Sequence, residues 1–355
     1  MIKLGSQVES AGTNVTSSRH VIITAYMGSS SFVTRSMELL PTAQPTNSAE
    51  PTGGVHRPMA RLKIIMTPKW TGSIPKAVTT GSRMGVTMKM MGAIDDAEKM
   101  MQDYNVTLER MPCGRTSADQ IPIFEKILKR DNIHGVITYC WDDTTLNVYF
   151  EQLLEKGIPV VTVHSDAVNS KRVGCVRASG RRTGQLAAEL LGKLTPPSGR
   201  VILMSGNHKL KLLRDNAMGF CDYITEQHPG LAILDISNAC GNFSLEDTLV
   251  QELENHPDIV GIYCNSASNC IAMCHALKRT DKWKHIAAIS SDIFAELEPY
   301  LMDGTVDASI WQAPELQSKE GVWMLYEYLS GQHLQQEVRY VQLGIVMKNN
   351  FHDYL

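Results

Sequence analysis

Polar side chains repeatedly stand where apolar runs end. Asp166 closes IPVVTVHSD, Asn265 closes IVGIYCNS, Asp292 closes HIAAISSD and Gln312 closes TVDASIWQAP; Ser179 opens the helix after RVGCVRAS, and Arg214 lies in a helical stretch ahead of Gly219 and Phe220. Asp, Asn, Gln and Arg offer paired donors or acceptors in one plane, which suits neighbouring sugar hydroxyls, each both donor and acceptor. Trp70, Trp141 and Trp311 fall at or near strand ends, where an indole face covers the apolar side of a sugar ring. Any one of these residues reads equally well as a helix cap or turn. The series, taken together, points to recognition of a small hydroxyl-bearing ligand.

Catalytic patterns are missing. The chain has no G-x-S-x-G elbow, no phosphate-cradling G-x-x-x-x-G-K-[ST] and no H-E-x-x-H. Gly174, Gly180 and Gly184 surround a strand-to-helix turn with spacing that fails the dinucleotide fingerprint. The adjacent carboxylates Asp95–Asp96 and Asp142–Asp143 diverge by about 100° on a helix, so neither reads as an acid/base dyad; Asp142 or Asp143 reads as a helix cap. His164 and His208 end strands and read as hydrogen-bonded structural histidines. Cys270 and Cys274 are one helical turn apart without further ligands at zinc spacing. The expectation is a binding protein rather than an enzyme, with no cofactor and no metal.

The elements that must position these residues alternate. Strands at about 61–68, 134–140, 158–164, 200–206, 231–237, 259–264 and 285–291 are separated by helical patterns, among them 117–131, 143–156, 210–226, 244–255, 268–280 and 315–331. Continuous Val/Ile/Leu-rich strands between helices mean parallel sheets covered on both faces, and such sheets bind ligands at the carboxyl edge of their strands. In the helix starting at Gly85 the methionines read as core.

At 355 residues, 43% hydrophobic and 20% charged, the chain has room for two domains and an appendage. A formal charge of -3 argues against wholesale coating of nucleic acid. No segment has the apolar length of a membrane span, and the N-terminus shows no secretory leader. Cys140, Cys175, Cys221 and Cys264 sit in apolar runs, as free thiols do in a reducing compartment, so a cytoplasmic location is expected. Residues 1–60 are dense in Ser, Thr, Gly and Pro without sustained periodicity and are expected to be largely disordered, with one isolated strand at His20–Gly28.

From about residue 61 to 350 the chain resembles the ligand-binding domains of the lactose-repressor (LacI/GalR) family of transcriptional regulators and the related periplasmic sugar-binding proteins. The resemblance lies in GIPVVTVHSD, SGRRTGQLAAELL, RDNAMGF, IYCNSAS, AISSDI, and TVDASIWQAP followed by Gly321. It implies a two-lobed, type I periplasmic-binding-protein-like α/β fold that closes on its ligand. It further implies effector contacts from Arg214, Asn265, Asp292 and Gln312, with Asp166 nearby. Three positions depart from the family pattern: Ser179, Ser266 and Ser290 replace an Asp or Asn, an acidic residue and a glycine. The lobes are expected over 61–198 plus 307–332 and over 199–306 plus 333–355. The regulators carry a DNA-binding headpiece ahead of this domain; here residues 1–60 do not read as helix-turn-helix, and HRPMAR resembles its final segment alone. The reading is a sugar- or polyol-responsive regulator acting as a homodimer, with operator DNA as a partner if the N-terminal segment is functional. A solute-binding receptor for transport or chemotaxis is the alternative, and an enzyme on a similar fold the third.

Overall fold

The computed structural model describes residues 62–66, 104, 106–111, 116–237 and 244–354. Trp70, the segment 1–60 expected to lack order, and nearly all of the methionine-rich helix lie outside the described residues.

Ten strands alternate with helices in two successive series. The first comprises β1 (Leu62–Met66), β2 (Val106–Arg110), β3 (Val136–Thr138), β4 (Val160–Val163) and β5 (Gly174–Arg177), with helices α1 (Ser117–Leu128) and α2 (Asn147–Glu155). The second comprises β6 (Gly199–Met204), β7 (Leu231–Asp235), β8 (Ile259–Cys264), β9 (Ala287–Ser291) and β10 (Ala308–Trp311). Its helices are α3 (Gly180–Leu194), α4 (Lys211–Gln227), α5 (Leu245–Asn255), α6 (Ala267–Arg279) and the short α7 (Glu298–Met302); α8 (Pro314–Leu329), β11 (Val338–Tyr340) and β12 (Gly344–Val346) follow. β3 and β4 are buried at every residue, as apolar parallel strands covered on both faces must be.

The two series build two sheets with one strand order. The first runs β11-β5-β4-β3-β1-β2 and the second β12-β10-β9-β8-β6-β7. Every pairing is parallel except β10 with β12. In each sheet the opening strand (β1 or β6) has the second strand on one side and the third on the other, which leaves a crevice at its carboxyl end.

The fifth strand of each series hands its helix to the other lobe. After β5 the chain crosses and α3 packs against β8, β9 and β10; after β10 it returns and α8 packs against β3, β4 and β5. A third crossing separates β11, paired with β5, from β12, paired with β10. The boundaries expected at 198/199, 307 and 333 are therefore corrected: α3 and β10 belong with the second lobe, and β11 with the first. A helix that directly follows a strand looks local in sequence, but its apolar face fits the opposite sheet. Ala187, Ala188 and Leu191 of α3 are fully buried among Val201, Tyr263, Ile289 and Ile310.

Two local features bear on the site. Thr116 caps α1: its hydroxyl accepts from the Asp119 N–H at 3.2 Å while Asp119 reaches back to the Thr116 N–H at 2.9 Å. Ser117 donates to Asp142. α3 and α4 touch backbone to backbone, since a Cβ on Gly184 would fall 1.9 Å from the carbonyl oxygen of Asn216. Two of the glycines that failed as a nucleotide fingerprint, Gly180 and Gly184, thus set how closely α4, bearer of Arg214, approaches its neighbour.

Candidate ligand cleft

In the second lobe, Asn265, Asp292 and Gln312 all emerge at the carboxyl edge of one sheet, immediately after β8, β9 and β10. Asn265 is buried, and its amide ties three elements together. Nδ2 donates to Ser205 Oγ at 2.8 Å and to the Leu213 carbonyl at 3.2 Å, and Oδ1 accepts the Gly206 N–H at 3.0 Å. Both of its donors are consumed, so its role in the structure is to hold the loop after β6 in place. That loop forms one wall of a groove of about 450 Å³ lined by Ser205, Gly206, Asn207, His208, Lys209, Ser237, Leu245 and Asn269. The groove sits at the carboxyl end of β6, where the strand order reverses. Buried His208 Nε2 has no partner among the described residues.

Asp292 occupies the left-handed region at φ 61°. Its carboxylate accepts from the Gln312 N–H and from Gln312 Nε2, both at 3.2 Å, and Ser309 donates to its carbonyl. Gln312 in turn accepts from Gln317 Nε2 at 2.7 Å through its own carbonyl, while its buried Oε1 has no partner among the described residues. Left-handed Ala313 and then Pro314 turn the chain across to the first lobe and start α8.

The first lobe ends its strands in charge. Asp166 is fully buried and forms a two-pronged pair with Arg172, through Nε and through Nη2 at 3.0 Å, while Thr162 Oγ1 donates at 3.1 Å. The carboxylate expected near the ligand is thus committed to an internal cation, which reaches on to Glu337 at 2.7 Å. Burial works against the Asp142 carboxylate, but hydrogen bonds from Ser117 and from the N–H groups of Thr145 and Thr144 outweigh it and hold its pKa at about 2. Asp142 therefore organises the turn before α2, which itself begins only at Asn147 after an uncapped Leu146. His164, directly after β4, is left-handed at φ 66°.

Three contacts join the edges. Arg214 Nη2 meets Asp143 Oδ2 at 2.6 Å while Nη1 donates to the His208 carbonyl at 3.0 Å. Next along α4, Asp215 accepts from Arg177 Nη1 at 3.2 Å. Tyr139 and Trp141 from the first lobe, with ring centroids 5.0 Å apart, form a buried cluster with Leu210 and Leu213 from the second. Trp141 is only 9% exposed, so its indole face is covered by the opposite lobe. Ser179 lies at the first crossing, where its hydroxyl accepts from the Arg182 N–H at 3.4 Å as the cap of α3.

Of the nine residues singled out in the sequence, Arg214, Trp141, Asn265, Asp292 and Gln312 lie at the facing edges, while Trp311 packs edge-on against Tyr354 within the second lobe. Ser179 caps, Asp166 is ion-paired, and Trp70 lies outside the described residues. Sequence reading missed Asp143, Arg177, Asp215 and Tyr139, and the groove residues Ser205, His208 and Asn269. Their signal was position: all but Asp215, which lies within α4 next to Arg214, fall at, or about one turn from, the carboxyl end of a strand.

Among the described residues, the most deeply buried thiols are poor nucleophiles. Burial pushes the pKa of Cys175 up to about 12 and those of Cys140 and Cys270 well above the ordinary thiol value.

Among solved structures, the chain is similar to GanP, a glucose-galactose binding protein from Geobacillus stearothermophilus, at 22% identity with a TM-score of 0.65, over 73% of this chain and 92% of that one. It is similar to an ABC transporter solute binding protein from Burkholderia graminis in complex with D-arabinose (19%, TM-score 0.67, 74% and 92%). A third is the periplasmic solute binding protein from Actinobacillus succinogenes with bound D-allose (17%, TM-score 0.65, 74% and 94%). No curated protein matches the chain. At these identities the likeness is one of fold: two α/β lobes joined by crossings. The family model of the periplasmic binding protein domain matches residues 85–333, which run from ahead of β2 through α8, and the chain belongs to that family.

Proposed function

We propose that the chain is a non-enzymatic sugar-binding protein of the solute-binding type, taking its ligand between the facing strand edges. The observation that carries this is the groove of about 450 Å³ on the second lobe at the β6 switch point, walled by Ser, Asn, His and Lys side chains with Leu245, and opening beside Arg214, which reaches Asp143 of the first lobe. That volume suits a small molecule; the Ser and Asn groups both donate and accept, as paired hydroxyls require, and Lys209 adds a donor. The solved structures that resemble it include a glucose-galactose binding protein and solute-binding proteins holding D-arabinose and D-allose, which supports a monosaccharide. They are solute-binding proteins, which favours the receptor over the regulator.

The regulator reading keeps the motifs quoted above, and with it operator DNA, a homodimer and a cytoplasmic location. Its distinguishing part is the segment 1–60. Cell fractionation separates the two versions, since a receptor for transport works outside the cytoplasm. Salt-dependent, sequence-selective DNA binding by the full chain would restore the regulator.

The direct test is thermal melting against D-glucose, D-galactose, D-arabinose and D-allose. A ligand at a hundred times its Kd stabilises by about 2.7 kcal/mol. That corresponds to a rise of roughly 5–10 °C for lobes of this size. Melts unmoved by every sugar in the panel would refute the reading.

A further inference from the structure

We infer that the groove at the carboxyl end of β6 receives an anionic group, so that the preferred ligand is an acidic monosaccharide: a sugar bearing a carboxylate or a phosphate. The inference rests on the reading of the chain as a sugar-binding protein and names the class of sugar.

The polar groups of this groove have donors left to offer. Ser205 Oγ accepts from Asn265 Nδ2 at 2.8 Å, which leaves its own O–H to give. Asn207 Oδ1 accepts the Lys209 N–H at 3.0 Å, and Asn269 Oδ1 accepts from Ser268 Oγ at 3.4 Å, so both amides keep their NH₂ groups for the groove. Ser237 is engaged in both directions, accepting the Ser205 N–H at 3.1 Å and donating to Asp235. His208 Nε2, buried and without a partner among the described residues, donates in the tautomer that places its proton there. A sugar hydroxyl asks its site to donate and accept in turn, whereas a carboxylate or phosphate oxygen only accepts. A surplus of donors selects the anion.

The charge at the groove has the matching sign. Lys209 is exposed, makes no ion pair among the described residues, and is the lining residue with a permanent charge. The acids nearest in sequence are committed elsewhere. Asp235 accepts the Ser237 N–H at 2.8 Å, and Glu246 and Asp247 face Arg279 at 3.6 and 2.7 Å. Three helices also start at this groove, and they differ. α5 offsets the partial positive charge of its first turn with Glu246, Asp247 and the Ser244 cap, whereas α4 and α6 have neither an acidic residue in the first turn nor a side-chain cap. Their partial charges add to that of Lys209.

The experiment is calorimetric titration of the full-length chain with D-glucose against D-glucuronate and D-glucose 6-phosphate, and with D-galactose against D-galacturonate. At low salt an acid should bind about tenfold more tightly than its neutral parent, the size of one charge-assisted hydrogen bond. The advantage should shrink in about 1 M salt, where the screening length falls to about 3 Å. Lys209→Gln should bring the ratio of acid to neutral affinity close to one, and Lys209→Arg should keep it. Lys284→Gln removes the same charge from an exposed position ahead of β9, at the opposite edge of the sheet, and should also keep it. A preference for either glucuronate or the 6-phosphate supports the inference and names the anion. Equal affinity for acid and neutral sugar overturns it, and so does a preference for acid that Lys209→Gln leaves intact. Binding of neutral sugars alone overturns the inference and spares the sugar-binding reading; a chain that binds none of these compounds loses both.

Discussion

The first lobe finishes β4 with His164, left-handed at φ 66°, whose N–H donates to Val176 of β5; the second finishes β9 with Asp292, left-handed at φ 61°, whose N–H donates to Ile310 of β10. Strand order, backbone conformation and neighbour repeat, yet the chemistry around these matched corners diverges. In the first lobe Asp166 and Arg172 form a buried ion pair, and Asp142 is held as a carboxylate by hydrogen bonds from Ser117, Thr144 and Thr145. In the second, neutral amides dominate: Asn265 binds Ser205, Gly206 and Leu213, and Gln312 binds Asp292. One architecture therefore supports two kinds of edge. The first is locked by full charges whose removal is costly, whereas the second is held by groups that can exchange partners with a hydroxyl at small cost.

That difference predicts unequal responses to the same chemical change. Asp166→Asn leaves the Arg172 guanidinium buried beside a neutral amide, with the exposed Glu337 as its remaining counter-ion. Breaking one side of a buried pair costs about 3–5 kcal/mol. Urea unfolding should show that loss, and the double change Asp166→Leu with Arg172→Met should recover most of it. A loss below about 1 kcal/mol would mean that the first lobe is not locked by charge.

The helices exchanged between lobes offer a second contrast. A Cβ at Gly184 of α3 meets a backbone carbonyl at 1.9 Å, whereas one at Gly321 of α8 meets the Cγ1 methyl of Val163 at 2.6 Å. A carbonyl fixed within a helix cannot retreat, but a valine can rotate. Gly184→Ala should therefore cost about 3 kcal/mol and Gly321→Ala about 1 kcal/mol by the same unfolding assay. Equal costs would show that the two exchanged helices seat alike.

Acid titration separates the lobes by sign. Hydrogen bonds hold the Asp142 pKa below its unfolded value, so its contribution is complete above about pH 4 and is lost as pH falls through about 2. In the second lobe, burial raises the pKa of Asp307 despite a backbone bond from Ala288, so its charged form destabilises the fold at neutral pH and protonation relieves that. Asp142→Asn should lower the melting temperature at neutral pH and flatten its fall below about pH 4. Asp307→Asn, which keeps an acceptor for Ala288, should raise it.

Much of the frame was legible in the chain. The bounds read for β8 match those found, and α5 and α6 differ by one residue at most. Periodicity and strand-end polarity are local quantities, so the placement of Asn265, Asp292 and Gln312 on one edge could be read from them. Lobe membership could not, because α3 follows β5 in sequence while its Ala-rich face fits the other sheet. Nor could the state of each polar group: Asp166 and Asp292 look alike as strand-end carboxylates. Only the fold brings Arg172 to one and an amide to the other. Asp143 was read as a cap because its partner lies 71 residues away on a different lobe.

Asp292→Asn is the counterpart of the costly Asp166 substitution and should have the smallest effect on stability. Asn tolerates the left-handed region that Asp292 occupies, so the backbone contribution is unchanged. The hydrogen bonds can be rebuilt. The carbonyl oxygen of the substituted side chain still accepts the Gln312 N–H, and a flip of the Gln312 amide turns its unpartnered Oε1 to receive the N–H of the new amide. The net change should fall within about 0.5 kcal/mol, the range of a substitution that loses no net bond. Sugar binding should respond differently, because the negative charge that draws hydroxyl protons toward this edge is gone. In the melt, the sugar-free transition should stay in place while the shift produced by the active monosaccharide shrinks. A large loss of basal stability would show that the second edge, like the first, is held by charge, and the contrast between the lobes would fail at its most exposed point.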